Sequence, residues 1–218
     1  MDIITVLWLA IGLFGFWISL GRLWAAAYPI WQERKNKRLL LEKFSKGPYD
    51  EATIRAAMRY YIRPKCSNID ASQESELRHA AVATKEDLFE KVDDFLDHHD
   101  SHRHLLVLAD SGTGKTSFVL NYFAYNAQRP KRKRHRLALV PLGHPDADKL
   151  ISSNPDKENT VIFLDALDED TKAILDDHDQ RVRDLMGRCH SFKRVVITCR
   201  TQFFSRDEEI PVDTGILR

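Results

Sequence analysis

From Ile3 to Leu20 eighteen consecutive positions carry no charge, and the apolar pattern runs on to Ala27 with only Arg22 interrupting it. As a helix such a run spans a hydrocarbon layer of roughly 30 Å, and Trp24, Tyr28 and Trp31 follow where a membrane interface would lie. The pattern predicts a transmembrane helix over residues 1–27. A cleaved leader would account for Ala25 and Ala27, but the segment opens on Asp2 and lacks a basic start. A buried core helix fits poorly with Trp8 and Trp17 among phenylalanines on all faces. Over residues 32–46 polar positions return, with Leu39, Leu40, Leu41 and Phe44 as one apolar side of a juxtamembrane helix. Gly47, Pro48 and Pro64 then punctuate a linker that brings the second segment to 28–83, with Arg59 to Asp70 as an extended stretch lying on the domain. Beyond it the period changes. Thr84 and Asp87 mark a helix start, and Leu88, Phe89, Val92, Phe95 and Leu96 recur at helical spacing. Short continuous apolar runs near 104–109, 136–142, 160–165 and 193–200 suit strands buried on both faces. The expected fold is α/β: a three-layer P-loop NTPase domain with a parallel sheet over 84–218, preceded by the transmembrane helix.

Composition changes this picture little. The chain has 218 residues, 43% of them hydrophobic and 30% charged, which is enough for one α/β domain with an appendage. A net charge of +1 excludes no partner class. The three cysteines, Cys66, Cys189 and Cys199, lack metal-ligand spacing, and their odd number suits a reducing compartment. Arg22, Arg34, Lys35, Lys37 and Arg38 all follow the apolar segment and no basic residue precedes it, so the bulk of the chain is expected to face the cytoplasm on a single-pass anchor that contacts membrane lipid.

The most informative chemistry lies between the first strand and the next helix: Ala109, Asp110, Ser111, Gly112, Thr113, Gly114, Lys115, Thr116 and Ser117. This is the spacing of a phosphate-binding loop. Glycines let the backbone curl so that N–H groups face an anion, and the following helix adds the positive end of its dipole. Lys115 would reach the β- and γ-phosphates and the Thr116 hydroxyl would ligate Mg²⁺. Ala109 departs from the commoner glycine. Fifty positions past Lys115, Val161 to Leu164 lead into Asp165, Ala166, Leu167, Asp168 and Glu169, the form of a Walker B strand. Alone, such acids most often open a solvated helix. With the loop upstream, Asp165 reads as a metal-binding carboxylate and Asp168 or Glu169 as the group that orients water. Arg200, after the run KRVVITCR, would stand at the sheet edge near the γ-phosphate or else make a surface ion pair. ATP with Mg²⁺ is the expected cofactor set, although no base-specificity motif separates ATP from GTP.

The segment LDALDE from Leu164 to Glu169 resembles the Walker B of the NACHT group of STAND-class P-loop NTPases, and TCRTQFF from Thr198 to Phe204 is similar to that group's sensor-1 strand, with Arg200 in the place of its arginine. The resemblance covers about residues 84–210. It implies a nucleotide-driven switch: monomeric with ADP at rest, assembled with ATP on a signal, often in innate immune or antiphage defence. Members continue with helical and winged-helix segments, so the chain reads as a fragment. Competing classes are a non-catalytic nucleotide-binding membrane scaffold and an AAA-type membrane ATPase.

Two clusters sit outside this scheme. Asp97, His98, His99, Asp100, His102 and His104 offer metal ligands or a solvated connector. Arg129 to Arg136, RPKRKRHR, offers a lipid or nucleic-acid contact or a solvated loop. It lacks interleaved aromatics, and a nucleic-acid partner is not expected.

Overall fold

In the computed structural model the described residues are 3–44, 48–59, 61–66, 86–97, 102–175, 178–204, 210 and 214–217, without the side chains of 3–15, 175 and 178. The first element is a single helix, α1 (Ile3–Phe44), 42 residues long with Pro29 inside it. The sequence predicts two helical pieces here. They merge because a proline removes one backbone donor without ending a helix that is otherwise well populated. The two ends of α1 meet different surroundings. Phe16, Trp17, Leu23, Trp24 and Trp31 are exposed, whereas Leu40 and Phe44 are buried in the core. Among the described residues no helix is long and apolar enough to cross a membrane. Most of the predicted span falls on side chains outside the description.

Asp50 caps α2 (Glu51–Met58) by accepting a hydrogen bond from the Thr53 N–H at 2.6 Å. A short antiparallel pair, β1 (Lys65–Cys66) with β2 (Glu86–Asp87), follows. Asp87 then caps α3 (Leu88–Asp97) by accepting from the Phe89 and Glu90 N–H groups. All five apolar positions expected of that helix are buried. Thr84, the other predicted start signal, lies outside the described residues.

The parallel sheet is built from β3 (His104–Leu108), β4 (Arg136–Pro141), β5 (Thr160–Asp165), β6 (Arg194–Cys199) and β7 (Thr214–Leu217), in the order β4-β5-β6-β3-β7. Alternation along the strands feeds two cores. Leu105, Val107, Val161, Phe163 and Val196 meet α3, α4 (Lys115–Gln128), α2 and the end of α1 on one face. Leu106, Leu108, Ile162, Leu164, Val195 and Ile197 meet α5 (Ala147–Ser152) and α7 (His178–Cys189) on the other, with α6 (Thr171–Leu175) between them in sequence. The result is the expected three-layer α/β/α arrangement. Four of its strands match the sequence reading to within a residue or so. β7 was not foreseen: it has four residues, and Gly215 interrupts its apolar character where a Cβ would meet Leu105 Cδ1 at 3.4 Å.

Helix α4 is covered nearly all round, with Phe118, Val119, Leu120, Tyr122 and Ala124 at 2% exposure or less. The sheet takes one side and α1 and α2 take the other. Each large side chain buried there contributes about 1.5–3 kcal/mol. Burial therefore anchors this helix more firmly than helix propensity would, which matters because its first turn belongs to the site.

Candidate functional site

Between the buried end of β3 and the first turn of α4 the chain must reverse within a few residues. Gly112 at φ +76° and Gly114 at φ +92° occupy the left-handed region that other residues avoid, and Gly114 is the N-cap of α4. The start of the loop is pinned to the sheet by the Ala109 N–H, which donates to the Cys199 carbonyl at 3.1 Å. The turn is braced by the Thr113 hydroxyl, which donates to the Asp110 carbonyl at 2.6 Å. Ser111, Gly112 and Thr113 are exposed, and a Cβ at Gly112 would meet nothing within 4 Å. Gly114 offers no side-chain cap. The first N–H groups of α4 thus form an open, electropositive end of a helix dipole. Lys115 Nζ lies across the loop and donates to the Ala109 and Asp110 carbonyls, each at 3.3 Å.

Asp165 ends β5 at 1% exposure. Its Oδ1 accepts from the Thr198 hydroxyl at 2.8 Å, its Oδ2 accepts from the Tyr49 hydroxyl at 3.3 Å, and the Thr116 side chain hydrogen-bonds to the same carboxylate. Burial pushes the Asp165 pKa above its ordinary value, and the nearby Glu169 charge adds to that; the hydroxyls of Thr198, Thr116 and Tyr49 pull the other way without cancelling it. The register explains the convergence. β6 lies between β3 and β5, so Thr198 is carried to the same edge as the phosphate loop and Asp165. One carboxylate and threonine hydroxyls form an all-oxygen donor set, which suits a hard divalent cation such as Mg²⁺.

The turn after Asp165 is strained. Ala166 has φ +58°, the one positive φ at a non-glycine residue among those described, and its N–H donates to the Thr198 hydroxyl oxygen at 2.9 Å. A 3₁₀ turn over Leu167–Glu169 then presents the two further acids. Asp168 Oδ1 accepts from the Arg200 N–H at 3.1 Å, and the Arg200 Nε approaches Asp168 Oδ2 closely without the alignment of a hydrogen bond. Glu169 is exposed. Gly143, after β4, lies so near that a Cβ there would meet the Glu169 carbonyl oxygen at 3.3 Å. Arg200 and Asp168, singled out separately in the sequence, are therefore partners.

Beneath this turn is a network that sequence reasoning missed. Arg181 of α7, 7% exposed, donates to Asp170 at 2.8 Å and to Asp148 of α5 at 2.9 Å, and Lys172 reaches Asp148 at 2.6 Å. It ties α5, α6 and α7 to the end of the Walker B turn. Tyr49 was missed too. No local pattern could have revealed it, because its partner lies 116 positions away.

A cavity of about 390 Å³ lies beside the loop, with Pro64, Cys66, Leu88 and Phe118 facing Asp110 and Lys115. A larger one, about 910 Å³, lies between α1, α2, α3 and α4, away from the phosphate loop. In the basic run, Arg129 pairs with Asp93 and Asp97 and Arg136 pairs with Asp156, so part of its charge is used internally. His98, His99 and Asp100 lie outside the described residues, among which no group of three or more histidine, cysteine, aspartate or glutamate side chains is placed to hold a metal ion. All three cysteines are free and buried.

A parallel sheet with a glycine-bent loop after one strand, a buried aspartate at the end of another and a threonine strand between them defines a nucleotide-binding P-loop NTPase. The family model for Novel STAND NTPase 3 matches residues 82–211, more than half of the chain, and the chain belongs to that family. No curated protein matches it.

Proposed function

We propose that the chain is a Mg²⁺-dependent, ATP-binding switch of NACHT type in a signalling or defence assembly, tethered to a membrane by α1 with its NTPase domain on the cytoplasmic side. The observation that carries the nucleotide part is the meeting of Thr116, Asp165 and Thr198 beside the open first turn of α4. In this reading the residues from Ala109 to Ser117 surround the phosphates. Lys115 exchanges its two loop carbonyls for phosphate oxygens. Thr116 and Asp165 hold Mg²⁺, which when bound offsets the phosphate charge. Asp168 or Glu169 orients water for in-line attack on the γ-phosphate, and Arg200 senses that phosphate.

The closed Arg200–Asp168 pair favours a second reading, in which the protein holds nucleotide and turns it over slowly as a scaffold. The Arg200 N–H and Nε both face Asp168, so that carboxylate is engaged until the pair opens. Support for the tether comes from the uncharged run of Ile3 to Leu20, the basic residues after it and the exposed aromatics of α1.

Equilibrium binding of ATP with Mg²⁺ to the parent and to Lys115→Ala tests the nucleotide reading. Loss of charge-assisted hydrogen bonds should weaken binding by about 1.5–3 kcal/mol while the melting temperature holds. Equal affinities would sink it. Membrane fractionation tests the tether: deleting residues 1–27 should move the protein to the soluble fraction, and carbonate-resistant retention of the deletion would rule α1 out as the anchor.

A further inference from the structure

We propose that Tyr49 is a positioning residue for the Asp165 carboxylate, and that through it the end of α1 is tied to the metal site. The inference rests on the reading of Asp165 as the Mg²⁺ carboxylate. The other two hydroxyls on Asp165 belong to the nucleotide framework itself: Thr116 to the first turn of α4 and Thr198 to β6. Tyr49 does not. It stands between α1 and α2, outside the residues that the family model matches. Its hydroxyl is nevertheless the donor to Asp165 Oδ2.

A buried tyrosine commonly finds some polar partner, so the contact alone would say little. Its surroundings say more. Tyr49 is 3% exposed, its ring meets Phe44 of α1 edge-on at 5.8 Å, and Phe44 in turn meets Phe123 of α4 at 5.0 Å. Phe44, in the last turn of α1, thus stands between the Tyr49 ring and the phosphate-loop helix. Gln128, at the far end of α4, donates to Asn36 of α1 and so fixes a second point of the same contact. A donor on a ligating carboxylate sets which lone pairs face the metal. The bond is 3.3 Å long, against about 2.7–2.8 Å for a well-made O–H···O contact, so its strength depends on how closely the end of α1 approaches the sheet.

The test is Mg²⁺ titration of binding of a fluorescent ATP analogue to the full chain, using the parent, Tyr49→Phe and Phe44→Leu. Tyr49→Phe keeps the ring and removes only the hydroxyl. It should raise the Mg²⁺ midpoint about tenfold, the lower end of the usual range for losing such a support, while affinity in EDTA stays within about twofold. Phe44→Leu loosens the packing but keeps the hydroxyl, so it should lower the melting temperature and shift the midpoint less. An unchanged midpoint in Tyr49→Phe, an equal loss of metal-free affinity, or a midpoint untouched by Phe44→Leu would each overturn the proposal. A parent whose binding ignores Mg²⁺ altogether would overturn the metal reading and this inference with it, and only that result would do both.

Discussion

At the residue scale the site places an ionisable group where water cannot reach it. Asp165 is buried at the end of β5, and three hydroxyls do not fully offset the loss of hydration, so its folded pKa lies above the ordinary 3.8. The sign of the linkage follows. A carboxyl whose pKa is raised on folding weakens the fold as pH climbs from about 3.8 through the raised value, and the whole penalty is present above that value. Asp165→Asn should therefore raise the melting temperature of the metal-free protein at pH 7 and abolish its stabilisation by Mg²⁺ with ATP, an exchange of function for stability. Calorimetry with and without Mg²⁺ and nucleotide would show it. A lower metal-free melting temperature would mean that the carboxylate is structural. Local spacing singled out Lys115 and Thr116 in the sequence, and Asp165 stood out fifty positions on as the acid that ends an apolar run. Thr198 was visible only as a polar end to an apolar strand.

At the element scale the Walker B turn is held from below by ions buried between helices. Arg181 is 7% exposed and serves both Asp170 and Asp148. Removing it leaves the buried Asp170 without its counter-charge, while Asp148 keeps Lys172, so Arg181→Ala should cost about 3–5 kcal/mol in chemical denaturation. Burial alone would raise the Asp148 pKa, but hydrogen bonds from Arg181 and Lys172 outweigh it and hold the group down at about 2. The stabilisation from this depressed carboxyl is complete above its ordinary 3.8 and is lost as pH falls from there toward about 2. Asp148→Asn should flatten the acid limb of the stability profile over that interval. A parallel decline in parent and mutant would assign the acid sensitivity elsewhere. The strands, by contrast, were readable as elements: four continuous apolar runs became β3 to β6, while β7, with Thr214 and Gly215 in its four residues, carried too weak a signal.

At the scale of the molecule α1 has two fates. Its first part exposes Phe16, Trp17, Leu23 and Trp24, and its last turns bury Leu40 and Phe44 in the core that also holds α2 and α4. Truncation should separate them. Removing residues 1–27 should leave the NTPase fold near parental stability, whereas removing residues 1–44 takes away two core side chains worth about 2–5 kcal/mol each. Denaturant melts of the two truncations would check this, and equal stabilities would mean that the docking of α1 adds nothing to the fold.

Local pattern determined what depends on neighbours in the chain: the glycine-bent loop, the capped start of α3 at Asp87, the runs that became β3 to β6, and a phosphate-loop helix. Covalent spacing and backbone preference act within a few residues, so a linear reading reaches them. Tertiary structure decided which distant groups share a site. It inserted β6 between β3 and β5, turned Arg200 onto Asp168, gathered Asp148, Asp170 and Arg181 into one network, and brought Tyr49 to Asp165. Such pairings are fixed by packing across the sheet and between helices, where distance in space no longer follows separation along the chain.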